Sequence, residues 1–137
     1  MEITKKMNVP AAFLYKTIID SVLHDIKQST DKVLTEEQLT GYSYVKQFSK
    51  DSQATIQIYD LKKNEMYAFH TATKRNTFHV TYKIETIDEN NCTLYYEEKM
   101  TSEGMIQQLN DMVLGTILGY FKRKQFKKML VMMEESY

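Results

Sequence analysis

The chain has 137 residues and 16.2 kDa, with 42% hydrophobic and 26% charged residues. These values suit one domain over residues 1–137 and lie outside the low-hydrophobicity regime of disorder. Eighteen basic residues offset eighteen acidic ones, so no overall field draws the chain to nucleic acid or to an anionic membrane. A single cysteine, Cys92, excludes an internal disulfide, the start MEITKK lacks the apolar core of a signal peptide, and the longest uncharged apolar stretch, Met112 to Phe121, is about half a membrane span. A soluble cytoplasmic protein with no integral membrane segment is the expectation.

Residues 2–8 alternate Ile3, Lys5 and Met7 against Glu2, Thr4 and Lys6, a strand pattern with one face half apolar. Pro10 then opens a helix, where its missing N–H is harmless. Leu14, Ile18, Ile19, Val22, Leu23 and Ile26 recur at helical spacing and predict an amphipathic helix from Pro10 to about Gln28. Thr35 and Gln38 stand at capping-box spacing ahead of a turn or two of helix.

From Gly41 to Thr101 β-branched and aromatic residues are broken by polar clusters at roughly ten-residue spacing, the signature of an antiparallel meander. Strands are expected at about 42–49, 53–62, 65–73, 77–87 and 92–101. A two-residue loop at Lys63-Asn64 pairs Ile58 with Phe69, Ile56 with Thr71 and Asp60 with Tyr67. A second at Lys74-Arg75 puts Phe69 and Thr71 on one face with Phe78, Val80, Tyr82 and Ile84, and makes His70 and His79 outward cross-strand neighbours. The two hairpins agree, as a sheet buried on one side requires. The last hairpin leaves two choices, with Leu94, Tyr96 and Met100 inward, or Tyr95, Glu97 and Lys99. Beyond Gly104 an apolar stripe from Met105 through Met133 predicts a helix of some 30 residues to about Glu135, roughly 45 Å long.

The sequence carries no catalytic or metal-binding motif. Two histidines without a third ligand make a poor metal site, and Cys92 has no basic neighbour in sequence to activate it. Glu97 and Glu98 point to opposite faces of a strand and do not form an acid/base pair. The inward one of the two, with Asp60, is the candidate general base. The basic cluster Lys122, Arg123, Lys124, Lys127 and Lys128 reads as a solvated helix flank, so nucleic acid is not an expected partner. Seven of the ten tyrosines fall in the strand region and five of the nine methionines on the last helix, together an adaptable apolar surface with hydroxyls that need partners. Gly115 and Gly119 would relieve side-chain volume on one face of that helix.

The opening ITKKMNVPAAFLYKTIID, a strand that ends in Val9-Pro10 and runs into an apolar-striped helix, followed by a short helical connection, a meander and a C-terminal helix, resembles the START-like (SRPBCC, Bet v 1-like) superfamily. Within it, the length and the Met- and Tyr-rich texture resemble a domain-of-unknown-function family of low-GC Gram-positive bacteria. The chain lacks the glycine-rich loop that many of these relatives carry between early strands. The resemblance implies an α+β helix-grip fold: a curved antiparallel sheet of about six strands wrapped around a long C-terminal helix, with an N-terminal helix after the first strand. It also implies a cavity that takes a small apolar or amphipathic ligand without catalysis and without a cofactor. Ile58, Tyr67, Phe69, Phe78, Val80, Tyr82, Ile84, Tyr96, Leu109, Met112 and Val113 are the expected ligand-binding residues. The alternative is a regulatory or interaction module with a filled core, pairing with a protein partner or a second copy through the Met-rich C-terminal helix. A cyclase- or isomerase-like enzyme is the third reading.

Overall fold

The computed structural model describes residues 1–50, 52–74, 76–102, 105–108 and 116–137, with the side chains of all of these except 48–49, 102, 105–108 and 116–122. Strand β1 (Glu2–Met7) leads into helix α1 (Ala11–Thr30) and a single 3-10 turn (Glu36–Gln38). Strands β2 (Ser43–Ser49), β3 (Ser52–Lys62), β4 (Met66–Ala72), β5 (Asn76–Thr86), β6 (Cys92–Ser102) and β7 (Met105–Gln108) follow, and helix α2 (Thr116–Glu135) comes last. All strand pairs are antiparallel. The sheet runs β1-β6-β5-β4-β3-β2, with β7 also on β6.

Pro10 stands just outside α1 with φ −62° and ψ 149°, and its carbonyl accepts the Leu14 N–H at 3.1 Å. The apolar stripe of α1 faces the sheet, with Leu14 and Ile26 fully buried and Ile18, Ile19 and Val22 nearly so. Each such side chain contributes about 1.5–3 kcal/mol of burial. The helix ends at Asp31, which adopts φ 63° and donates its N–H to the Lys27 carbonyl at 2.9 Å. The capping box forms as the spacing of Thr35 and Gln38 implies: the Thr35 N–H donates to Gln38 Oε1 at 2.9 Å.

The meander follows the predicted registers with one exception. Between β4 and β5 every expected pair is present, including Phe69 with Val80 and His70 with His79. Between β3 and β4, Ile56 pairs with Thr71 and Ile58 with Phe69. A bulge between Ile58 and Asp60 then shifts the ladder, so Asp60 faces Ala68 and Tyr67 faces Leu61. The expected Asp60–Tyr67 pair does not form. The extra residue, Tyr59, stays exposed, and the connection lengthens to three residues, Lys63 to Glu65, with Asn64 at φ 64°. The bulge also lets Leu61 instead of Asp60 return to the core. The last hairpin resolves in favour of Leu94 and Tyr96 inward, which brings Glu98 inward with them, while Tyr95 is exposed.

The C-terminal helix is shorter than expected. Residues 105–108 belong to β7, and α2 has 20 residues, about 30 Å at 1.5 Å per residue. Strand β1 pairs only with residues 92–97 of β6, so the backbone of 99–102 along the same edge is open to another strand, and β7 takes it. Ladder hydrogen bonds there outweigh the helical spacing of Met105 and its neighbours. The same step raises the strand number from about six to seven. Of the two helix glycines, Gly119 falls within α2, and Gly115 lies outside the described residues.

Candidate ligand cavity

A cavity of about 550 Å³ opens between the inner face of the sheet and both helices. Its floor comes from alternate residues of adjacent strands: Ile56 of β3, Tyr67, Phe69 and Thr71 of β4, Phe78, Val80 and Tyr82 of β5, and Tyr96 and Glu98 of β6. The period of two along each strand, locked in register by the hairpins, gathers these side chains on one side. Helix α1 adds Ile18, Ser21, Val22 and Asp25, one stripe at spacings of three and four, and α2 adds Met129 and Met133. Tyr44 and Lys46 of β2 close one end.

The aromatic rings form a continuous series. Tyr67 stacks on Phe69 at 5.1 Å and on Tyr82 at 5.7 Å, Tyr82 meets Tyr96 edge-on at 5.0 Å, and Tyr96 lies 4.2 Å from Phe126 of α2. Phe126 thereby ties the C-terminal helix to the sheet, beside the fully buried Leu130.

Two polar groups punctuate this lining. At the α1–β2 end the Tyr44 hydroxyl donates to Asp25 Oδ2 at 2.6 Å, and Lys46 Nζ stands 2.7 Å from Asp25 Oδ1. On the floor sits Glu98, the buried charged residue among the described side chains, at 7% exposure. Its main chain is held by Met1, which exchanges backbone hydrogen bonds of 2.8 and 2.9 Å with it, and it lies opposite Val80 of β5 in the ladder. Burial pushes the phenols of Tyr44, Tyr67, Tyr82 and Tyr96 well above their ordinary range. The Asp25 hydrogen bond adds to this at Tyr44, and the charge of Glu98 adds to it at Tyr82 and Tyr96. Tyr96 also hydrogen-bonds Glu98. These phenols are therefore neutral hydrogen-bonding groups near neutral pH. Every buried side-chain nitrogen or oxygen among the described residues has a partner.

Of the residues expected to bind a ligand, Tyr67, Phe69, Phe78, Val80, Tyr82 and Tyr96 line the cavity. Ile58 and Ile84 share the inner face but sit in the packed core, 0% and 7% exposed, and are not part of the lining. Leu109, Met112 and Val113 lie outside the described residues. Sequence reasoning missed the contribution of α1: the stripe of Ile18 and Val22 was legible, but Asp25 was not singled out, although it continues that stripe. Lys46 was missed for want of a register between β2 and β3. The observed pairing of Tyr44 with Ile56 places it two residues from an inward tyrosine on the same face.

Elsewhere, His70 and His79 meet edge-on at 4.5 Å on the outer face, with Tyr59 against His70 and the His79 ring nitrogen 2.7 Å from Thr101 Oγ1. No group of three or more His, Cys, Asp or Glu among the described residues could hold a metal. Cys92 is buried, and its thiol is pushed up to about 11 by that burial and then by the charge of Glu134. Lys124, Lys127 and Lys128 are exposed, as a solvated flank should be. Among the described residues no helix is long and apolar enough to cross a membrane.

An antiparallel sheet gripping a C-terminal helix, with a second helix inserted after the first strand, defines the helix-grip or Bet v 1-like class, and solved structures bear this out. Ara h 8.0201 is 14% identical, with a TM-score of 0.59 over 100% of this chain and 95% of its own. Mll3558 from Rhizobium loti is 11% identical, with a TM-score of 0.55 over 97% and 92% of the two chains. DynU16, from the dynemicin biosynthetic locus, is 14% identical with a TM-score of 0.50 over 76% of this chain, which spans only 37% of that protein. The particular family is the domain of unknown function DUF3284, whose pattern matches residues 1–119, and the chain belongs to it. No curated protein matches the chain.

Proposed function

We propose that residues 1–137 act as one unit that binds a small apolar or amphipathic molecule in the cavity between the sheet and the two helices, without transforming it. The observation that carries this reading is the cavity itself. Its volume of about 550 Å³ falls within the range of roughly 300–1,000 Å³ typical of small-molecule sites, and its lining is mostly aromatic and aliphatic with a few placed polar groups. Members of the helix-grip fold commonly hold apolar ligands in this position. Binding is favoured over catalysis because the phenols facing the cavity are moved away from neutrality, whereas acid/base work is served best by a pKa near the working pH. Asp60 is not part of the lining.

Native mass spectrometry of the purified protein is the direct test. A co-purifying small molecule that is lost on denaturation supports the reading. Bare protein that also fails to take up an environment-sensitive apolar dye overturns it. A second reading draws on the outer side of α2, where Val131 and Met132 are 41% and 61% exposed: a protein partner or a second copy would cover them. Sedimentation that shows only monomer across a wide concentration range would remove the homodimer.

A further inference from the structure

We propose that the molecule held in this cavity is a neutral carbonyl compound, an apolar body whose ketone, ester or quinone oxygen accepts hydrogen bonds from the hydroxyls of Tyr67 and Tyr82. This rests on the cavity-binding reading and narrows it to a chemical class. Most polar side chains of the lining are already engaged within the protein. The Ser21 hydroxyl donates to the Ile18 carbonyl at 2.7 Å, Asp25 holds both Tyr44 and Lys46, and Tyr96 is hydrogen-bonded to Glu98. Tyr67 and Tyr82 make ring contacts with their neighbours, but among the described residues their hydroxyls make no hydrogen bond. Every described polar side-chain atom that is sealed from solvent has a partner, so these two hydroxyls open onto the cavity that their rings line. A hydroxyl facing a mostly apolar volume gains from an acceptor what it lacks within the protein. The Thr71 hydroxyl is also without a partner among the described residues, but it stands about 13 Å farther along β4 at ~3.3 Å per residue and serves another part of the cavity.

The placement of the two phenols fits one acceptor. Tyr67 and Tyr82 are direct partners across the β4–β5 ladder, so both side chains leave the sheet on the same side. Their rings lie 5.7 Å apart and only 25° from parallel. A single oxygen that accepts two hydrogen bonds of about 2.8 Å spans a gap of that size, and a carbonyl oxygen has the two lone pairs this needs. Burial, as the first cause, raises both phenols, so at neutral pH each keeps a proton to donate. The charge of Asp25 acts on Tyr67 in the same sense, and that of Glu98 acts so on Tyr82. Negative potential at both hydroxyls opposes a carboxylate there and selects a neutral acceptor. Phe69 and Tyr96, at either end of the pair, supply the apolar wall for the body of the ligand.

The experiment titrates the full chain with four probes built on one ring skeleton, fluorene, 9-fluorenone, 9-fluorenol and fluorene-9-carboxylate, by displacement of a bound apolar dye. Two hydrogen bonds should make fluorenone bind at least about fivefold more tightly than fluorene, although fluorene is the more apolar, with the carboxylate weakest. The infrared carbonyl band of bound fluorenone should lie at lower wavenumber than in hexane. The double variant Tyr67→Phe/Tyr82→Phe keeps both rings and removes both hydroxyls. In it fluorenone should fall to the level of fluorene, and the band should return to its position in hexane. Should that variant fail to fold, the probe order and the band position in the unaltered chain decide alone. Fluorene bound as tightly as fluorenone, a preference for the fluorenol or the carboxylate, an unshifted band, or a ketone preference that survives in the double variant would overturn the carbonyl while leaving the cavity reading intact. Uptake of neither dye nor probes would overturn both.

Discussion

Five phenols, on Tyr15, Tyr44, Tyr67, Tyr82 and Tyr96, are shifted upward with burial as the first cause in each, and the Cys92 thiol moves the same way. The folded protein thus holds these protons more tightly than the unfolded chain, whose thiol titrates near 9.0 and whose phenols titrate near 10.0. Their stabilisation is fully present below those values and is lost as pH rises through the folded ones. Urea unfolding as a function of pH should show stability falling from about pH 9 upward. Tyrosinate absorbance from the buried rings should appear together with unfolding and not before it. His70 works at the opposite end. Burial and then the neighbouring His79 lower its pKa from 6.5, so its contribution is present above pH 6.5 and declines as pH falls. Replacing it, as in His70→Gln, should flatten the acid limb of the same stability curve. A native thiol held this high and buried should also resist a maleimide at neutral pH until the protein is unfolded.

Among the elements, α1 buries a continuous apolar stripe. Leu14 is 0% exposed in the central cluster, and Leu14→Ala should destabilise by about 2–5 kcal/mol, measured by urea unfolding. The contrasting case is Asp60→Asn. The bulge before it removes the Tyr67 pairing and leaves Asp60 outside the cavity lining, so the change should stay within about 0.5 kcal/mol and leave dye affinity as it was. The bulge also marks where the sequence stopped being informative. Hairpin arithmetic recovered the β4–β5 ladder throughout and β3–β4 as far as Ile58, because apolar residues on both strands must agree on a face. It had no means of inserting an extra residue at Tyr59, since a three-residue turn and a two-residue turn use the same polar letters. The start of the last helix failed for a different reason. Met105 and its neighbours read as helical in isolation, and only the vacant edge of β6, a non-local feature, makes them a strand. The cavity divides along the same line: its floor follows from strand alternation, whereas Asp25 and Lys46 enter through the meeting of α1 with β2, which no local pattern encodes.

Across the molecule, the order of the described strands in the sheet differs from their order in the chain at one place, where β1 joins β6. Strands β2 to β6 each neighbour the next in sequence, so they can zip together through successive hairpins, whereas β1 must wait for β6. During synthesis the apolar face of β1 and α1 is therefore made well before the strand that β1 will pair with. Closing so long a loop is entropically unfavourable until the meander exists to receive it. The β1–β6 ladder should consequently form late, after the folding barrier. A mild truncation there, Ile3→Val, should speed unfolding and leave the refolding rate nearly unchanged in a chevron measurement, while the same loss at Val80 in the meander should slow refolding. Until that closure Glu98 has its meander neighbour on one side and solvent on the other. The floor of the cavity and the last pairing of the sheet are thus completed by the same event.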